Sequence, residues 1–205
     1  MTRVLLIRHG HVEGIVPKRF RGRLDLPLSA EGEAQADLAA QHVSARYDVK
    51  AVYASPLQRC IRSASALTRS LLLPEPRIAP ALTDTDYGLW QGRLATEVSQ
   101  SEPQLYGLWQ THPEQVTFPQ GESLAAVAAR AMVALQALAL AHAGQTIAVY
   151  THDSVIRVII LATLHAPFAA YHRVEVDPCS LGEVVYGPDN DLELVRFNER
   201  TRCQS

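Results

Sequence analysis

The sequence predicts an α/β domain, a three-layer sandwich with a largely parallel central sheet flanked by helices on both faces. Three observations predict it. Short apolar runs at residues 4–7, 51–54 and 146–150 have the near-continuous hydrophobicity of strands buried on both faces. A helix-start signal follows each of them. Helical segments then separate the runs, the alternation that a parallel sheet with crossover helices requires.

The elements follow in order. Residues 4–7 form the first strand, and a loop rich in Gly, Pro and Arg runs from 10 to 27. Ser29 caps a helix reaching to about residue 44, with Ala34, Leu38 and Ala39 among its apolar positions. The strand at 51–54 runs straight into Ser55, Pro56, Leu57 and Gln58. Ser55 with Gln58 three residues on reads as a capping box, with Pro56 at the first helical position and Arg59 in the first turn. Residues 82–93 read as loop, and 95–109 as one weakly patterned helix. Ser123 caps a long helix whose stripe is Leu124, Val127, Ala131, Leu135 and Leu138, and Gly144 ends it. The strand at 146–150 delivers Thr151 and His152, after which Asp153 or Ser154 opens another helix. Strand-like runs at 181–186 and 192–197 complete the sheet. No linker divides the chain, so residues 1–205 are expected to form a single domain.

Composition narrows the function. The net charge is −2, with 47% hydrophobic and 20% charged residues. This gives no support to a nucleic-acid or membrane-surface partner, so a bound anion must be held by a local arginine cluster. Cys60, Cys179 and Cys203 are odd in number and widely spaced, which argues against a disulfide framework or structural zinc. The apolar runs at 4–7 and 158–164 are too short for a signal-peptide core or a membrane span. A soluble, cytoplasmic protein is the expectation. The oligomeric state is open, a homodimer included.

Three strand ends carry the candidate chemistry. The first ends at Arg8-His9-Gly10, the second at Ser55 with Arg59 a turn away, the third at Thr151-His152. Parallel neighbouring strands would gather two arginines and two histidines at one edge of the sheet. Arginine meets phosphate with a planar fork of donors and stays charged. A neutral imidazole can attack phosphorus. A second, protonated imidazole can stabilise the phosphoryl oxygens. Gly10 would let the backbone approach the ligand.

The motifs around these residues resemble those of the histidine phosphatase superfamily, in the branch containing cofactor-dependent phosphoglycerate mutase. Leu6-Ile7-Arg8-His9-Gly10 is similar to its opening LxRHG signature. Gly22, Asp25, Pro27, Leu28, Ser29 and Gly32 resemble GxxDxPLTxxG. Residues 55–59 resemble SPLxR, with Ser63-Ala64 where TA is usual. Leu82, Asp84, Tyr87, Gly88, Trp90 and Gly92 resemble LxExxFGxWEG. Pro119, Gly121, Glu122 and Ser123 resemble PxGES, and Val149, His152 and Arg157 resemble VxHGxxxR. The six motifs occur in family order across most of the chain.

The resemblance implies His9 as nucleophile, with Arg8, Arg59 and His152 completing the phosphate pocket. It implies Asp84 as proton donor, although the family has Glu there, and Asp86 or Asp153 could share the task. Val12 and Ile15 stand where Thr and Asn are common. Arg21 replaces a Gln, which leaves Lys18, Arg19, Arg21 and Arg23 close together. Either Arg21 supplies a compensating contact to an anionic substrate or the loop is simply solvated. Asp153 stands where Gly is usual, and a helix cap is the expected role. Trp90, Tyr106, Trp109 and His11 are candidates for pocket walls, the two tryptophans more for the core. His42, His112, His142, His165 and His172 read as ordinary.

The expected function is hydrolysis of a small phosphorylated metabolite through a phosphohistidine, with no metal and no cofactor. Phosphatase is preferred to mutase because 205 residues leave little room for segments that shield the intermediate from water. Two other readings compete. His9 and His11, with Asp25, His152 and Asp153, could be ligands of a metal-dependent hydrolase, but Arg8 and Arg59 would crowd a dication. A non-catalytic phospholigand module is opposed by the joint retention of Arg8, His9, Arg59 and His152.

Overall fold

The computed structural model describes residues 1–13, 17–187 and 191–200. In chain order the elements are β1 (Thr2–Arg8), α1 (Ala30–Ser44), β2 (Val49–Ala54), α2 (Gln58–Leu71), β3 (Arg77–Ile78), α3 (Ala95–Ser101), α4 (Pro103–Thr111), α5 (Leu124–Ala141), β4 (Thr146–Thr151), α6 (Asp153–Thr163), β5 (Leu181–Tyr186) and β6 (Leu192–Glu199). The six strands form one sheet in the order β3-β2-β4-β1-β5-β6. β1, β2, β3 and β4 are parallel, and β5 runs antiparallel to both β1 and β6.

Alternate residues of the strands feed two separate cores, which is what makes three layers. Val4 and Leu6 of β1 join Ile147 and Val149 of β4 against α5 and α6. Leu5 and Ile7 join Ala148 and Tyr150 against α1 and α2. A strand with both faces covered must be apolar throughout, as the sequence reading of these runs required. The described part of the sheet therefore has the predicted class, largely parallel with helices on both faces.

Several local expectations change. Ser29 does cap α1, accepting the Gly32 N–H at 3.1 Å, but the buried face is Gly32, Ala36, Ala39, Ala40 and Val43. Ala34 is exposed and Leu38 only partly covered; small residues are what let α1 lie close to α2. Ser55 does not cap α2. The helix starts at Gln58, and its first N–H is accepted by Asp25 Oδ1 at 2.7 Å, because the Ser55 hydroxyl is engaged elsewhere. Residues 95–109 are two helices rather than one, broken at Glu102, with Pro103 opening α4. β3 was not read at all; it has two exposed residues and no apolar pattern to betray it. Ser123 caps α5 through the Ala126 N–H at 3.2 Å. Leu124, Val127, Ala131 and Leu135 are buried as predicted, with Leu138 at the core's margin. Contrary to the expectation that the apolar runs are too short for a membrane span, α5 is by length and composition apolar enough to cross one, yet its stripe is core. Val12 is buried in the described structure; Ile15 and Cys203 lie outside the described residues. Cys60 and Cys179 are buried and form no disulfide among the described residues.

Candidate active site

β1 and β4 lie side by side with Arg8 opposite Thr151. The His9 N–H donates to Thr151 O at 3.0 Å, and the Ser55 N–H to Tyr150 O at 2.9 Å. These bonds fix the ends of three adjacent strands at one edge, as the parallel arrangement predicted. From β1 the chain leaves to α1 on one face and from β4 to α6 on the other, which opens a crevice between the strand ends. Rings of His9 and His152 meet there edge to face, 5.3 Å apart. Gly10 serves a different purpose from the one expected. A Cβ on it would overlap the Gly32 carbonyl oxygen, so its bareness admits the first turn of α1. Its N–H is held by Ser63 Oγ at 3.0 Å.

His9 has its ring nitrogens sorted by their partners. Nδ1 lies 2.7 Å from its neighbour's carbonyl, Gly10 O, so it carries the proton and donates. That leaves Nε2 with a lone pair, on which Arg59 Nε donates at 3.2 Å. Burial, then the charges of His152, Arg59 and Arg8, hold the His9 pKa well below the usual histidine value. A neutral, correctly tautomeric imidazole is what a nucleophile needs.

His152 is almost wholly buried. Its Nε2 is 2.7 Å from Ser55 Oγ and its Nδ1 3.5 Å from Asp84 Oδ2. Burial first, then Arg59, Arg8 and Arg130, push its pKa well below 6.5. The site as described therefore disfavours the protonated imidazole expected from sequence, and an anion bound beside the ring would favour it. Arg8 donates Nη1 to Val176 O at 2.5 Å, while its Nε is buried without a partner among the described residues. Arg59 ties the site together. Besides His9 it binds Leu24 O at 2.6 Å, Gly22 O at 2.8 Å and Asp84 Oδ2 at 3.0 Å.

Asp84 sits among donors on every side. Oδ2 accepts from Arg59, and Oδ1 accepts from the Thr85 N–H at 2.9 Å and Ser154 Oγ at 2.5 Å. Its backbone is clamped too. Arg130 donates to the carbonyls of Ala81, Thr83 and Asp84 at 2.6, 2.7 and 3.0 Å. Glu122 pairs with Arg130 at 3.0 Å and with Arg23 at 2.8 Å. The other candidate acids are committed elsewhere: Asp86 to Arg23 at 3.1 Å and Asp153 to Arg157 at 2.6 Å. Asp153 is therefore not the cap of α6, whose N-cap is His152. Sequence reasoning missed Ser55, Ser154, Glu122 and Arg130 as parts of the site. Glu122 was visible inside the PxGES match, but Arg130 lay on a helix read only for its apolar stripe.

A cavity of about 330 Å³ opens over this centre, lined by Arg8, His9, Arg21, Asp84 and Ser154 at one end. Lys18, Arg157, Trp109, Tyr171 and His172 line it further out. Arg59 and His152 lie behind that lining, both at 1% exposure. Arg21 is half-buried and faces Arg8, Asp84 and Arg59, whereas Arg23 turns away to Asp86 and Glu122. The basic loop thus divides, and Arg21 falls on the ligand side. Trp90 is core, as expected, and Trp109 is both core and wall. His11 bonds Ser29 Oγ at 2.7 Å and does not join His9.

A family model for the histidine phosphatase superfamily (branch 1) matches residues 4–200. The chain belongs to that superfamily. Among its histidine phosphatase relatives is a metal-independent phosphoserine phosphatase of Arabidopsis thaliana, 30% identical over 170 residues, 82% of this chain and 71% of the relative. A bifunctional protein of Mycobacterium tuberculosis is 31% identical over 97% of this chain, but the match spans only 54% of that longer protein. The chain spans about half the length of such curated relatives. Among solved structures, Bacillus stearothermophilus YhfR superposes with a TM-score of 0.90 at 22% identity, covering 97% and 98% of the two chains, a likeness of fold. A mycobacterial glucosyl-3-phosphoglycerate phosphatase solved with VO3 has a TM-score of 0.84 at 26% identity, covering 96% and 98%. Against the histidine phosphatase pattern, the departure at the centre of this site is Asp84.

Proposed function

We propose that the protein hydrolyses small phosphomonoesters through a phosphohistidine on His9, without a metal. One observation carries this reading: His9 Nδ1 is bonded to Gly10 O, which leaves the Nε2 lone pair toward the arginines. The phosphoryl group displaces Arg59 from that lone pair and takes donors from Arg8, Arg21 and Arg59. Nε2 then attacks phosphorus in line as the ester P–O bond breaks. Asp84, carrying a proton, delivers it to the departing alkoxide oxygen. Protonated in response to the dianion, His152 holds the charge on the phosphoryl oxygens. In the second half, water loses its proton to Asp84 and attacks phosphorus, the N–P bond breaks, and phosphate leaves. The metal-independent plant relative supports the absence of metal from this sequence of steps. The phosphatases among the relatives favour water over a second substrate as acceptor, although a probable phosphoglycerate mutase of Serratia proteamaculans is also 29% identical over 90% of the chain. Unpaired, buried Cys60 and Cys179 support a reducing, cytoplasmic setting.

The test is to trap the intermediate. Brief mixing with phosphorus-labelled substrate in excess chelator, then a denaturing quench, should leave acid-labile label on the wild type and none on His9→Ala. Label that persists in that variant removes His9 as the nucleophile. Turnover that requires an added divalent ion removes the metal-free part.

A further inference from the structure

A serine at the start of a helix often spends its hydroxyl on a nearby backbone group. Ser154, the second residue of α6, does not. Its Oγ donates to Asp84 Oδ1 at 2.5 Å, the side chain's one hydrogen bond among the described residues. Ser154 is buried at 3% exposure, yet it lines the cavity beside Asp84 and His9. The surroundings of Asp84 decide where a proton can sit. Oδ2 faces Arg59 Nη2 at 3.0 Å and His152 Nδ1 at 3.5 Å. A proton on that oxygen would meet a guanidinium N–H, donor against donor. Oδ1 has two neighbours. The Thr85 N–H, at 2.9 Å, can only donate. The Ser154 hydroxyl has two lone pairs as well as its proton, so it can also accept. A proton carried on Oδ1 therefore reverses this one bond. Asp84 then donates to Ser154 Oγ, and the serine proton is released toward the cavity.

We propose that Ser154 is a catalytic residue, the hydroxyl through which Asp84 hands its proton to the leaving oxygen. The proposal rests on the phosphatase reading above and gives the path of its proton. As the bond from His9 Nε2 to phosphorus forms, the ester P–O bond breaks and its electron pair goes to the leaving oxygen. That oxygen takes the Ser154 proton, while Ser154 Oγ takes the proton from Asp84 Oδ1. The alcohol departs, Asp84 is left as a carboxylate and Ser154 regains its hydroxyl. In the second half, water gives a proton to Ser154 Oγ, whose own proton passes to Asp84. The water oxygen forms its bond to phosphorus as the N–P bond breaks. Asp84 has a single methylene, and Ser154 Oγ carries its reach 2.5 Å further.

Two measurements on the full chain test it. Phenyl and p-nitrophenyl phosphate share a ring and differ in how much the leaving oxygen needs a proton. Ser154→Ala should lose at least about tenfold more kcat/KM on the phenyl ester, a share of the about 10²–10⁴-fold that general acids supply. A serine that only steadied Asp84 would give that result too, so the protons in flight are counted as well. In mixtures of H2O and D2O, kcat/KM of the wild type on phenyl phosphate should fall along a curve, the mark of two protons moving together. The curvature should be gone in Ser154→Ala. The wild-type plot tests the relay even if that variant folds poorly. A straight or flat plot for the wild type overturns the proposal, and so does equal curvature in both enzymes or an equal loss on the two esters. Label trapped on His9 of the same wild-type enzyme then leaves the phosphatase reading intact. No turnover of either ester by the wild type defeats the phosphatase reading and the proposal with it.

Discussion

Asp84→Asn separates the two roles that the carboxylate combines. Its oxygens accept from Arg59 Nη2 at 3.0 Å, Ser154 Oγ at 2.5 Å and the Thr85 N–H at 2.9 Å. An asparagine that keeps its carbonyl toward Thr85 and Ser154 turns its amide NH2 toward Arg59, donor against donor. Such a mismatch in a buried site costs about 1–3 kcal/mol, or roughly 5- to 150-fold if all of it reaches the rate. That part is common to every substrate. Loss of the proton is not. General acid catalysis contributes about 10²–10⁴-fold, and only where the leaving oxygen needs a proton. An alkyl phosphate expels an alkoxide, whereas p-nitrophenyl phosphate expels a stabilised phenolate. The variant should therefore lose about 10²–10⁴-fold more kcat/KM, which reports the transfer to His9 and not the shared water step, on glycerol 3-phosphate than on p-nitrophenyl phosphate. The assay is steady-state kinetics of both enzymes on both esters. Equal losses on the two would refute Asp84 as the acid and leave it a holder of Arg59.

The buried histidines give a pH signature. Both have folded pKa values below the unfolded value of 6.5. The stability that they contribute is complete above pH 6.5 and is lost as pH falls toward the folded values, at no more than about 1.4 kcal/mol per pH unit each. Tm of His152→Asn should accordingly fall less steeply than that of wild type between pH 6.5 and 5; parallel curves would contradict the assignment. Gly10→Ala forces a methyl into the Gly32 carbonyl. The overpacking should cost about 1–3 kcal/mol, at about 2–4 °C of Tm for each; an unchanged Tm would show that α1 yields freely. Glu122→Gln loosens the bridge between Arg130 and Arg23 that holds the Asp84 backbone. It should lower kcat about ten- to a hundredfold with KM little changed, and a KM effect alone would argue that Glu122 acts on binding.

How much of this was legible depended on whether the determinant was local. Strands covered on both faces advertise themselves, so β1, β2 and β4 could be read directly, and with them the meeting of His9 and His152. The Ser29 and Ser123 caps were equally local, since the accepting hydroxyl and the donating N–H lie three residues apart. Ser55 looked identical in sequence and was misread, because its hydroxyl bonds a histidine 97 residues away. The cap of α2 came instead from Asp25, 33 residues earlier. Gly10 was assigned to the ligand because the partner that excludes its side chain, Gly32, belongs to another element. Arg130 bonds carbonyls 46 to 49 residues back, and nothing in a helical stripe signals such a reach.

The two ends of the cavity are made from different kinds of structure. His9, His152 and the Ser55 hydroxyl stand on strand ends joined by backbone bonds and set in two packed cores. Lys18, Trp109, Tyr171 and His172 come from a loop, the end of a short helix and a two-turn 3-10 segment at 168–173. A change in those outer residues alters what is recognised while leaving the sheet that aims the nucleophile untouched. The same framework can thus be re-addressed to new esters by a few replacements, each tolerable alone. Drift in substrate choice among related chains should then concentrate on those segments, with the chemistry inherited unchanged.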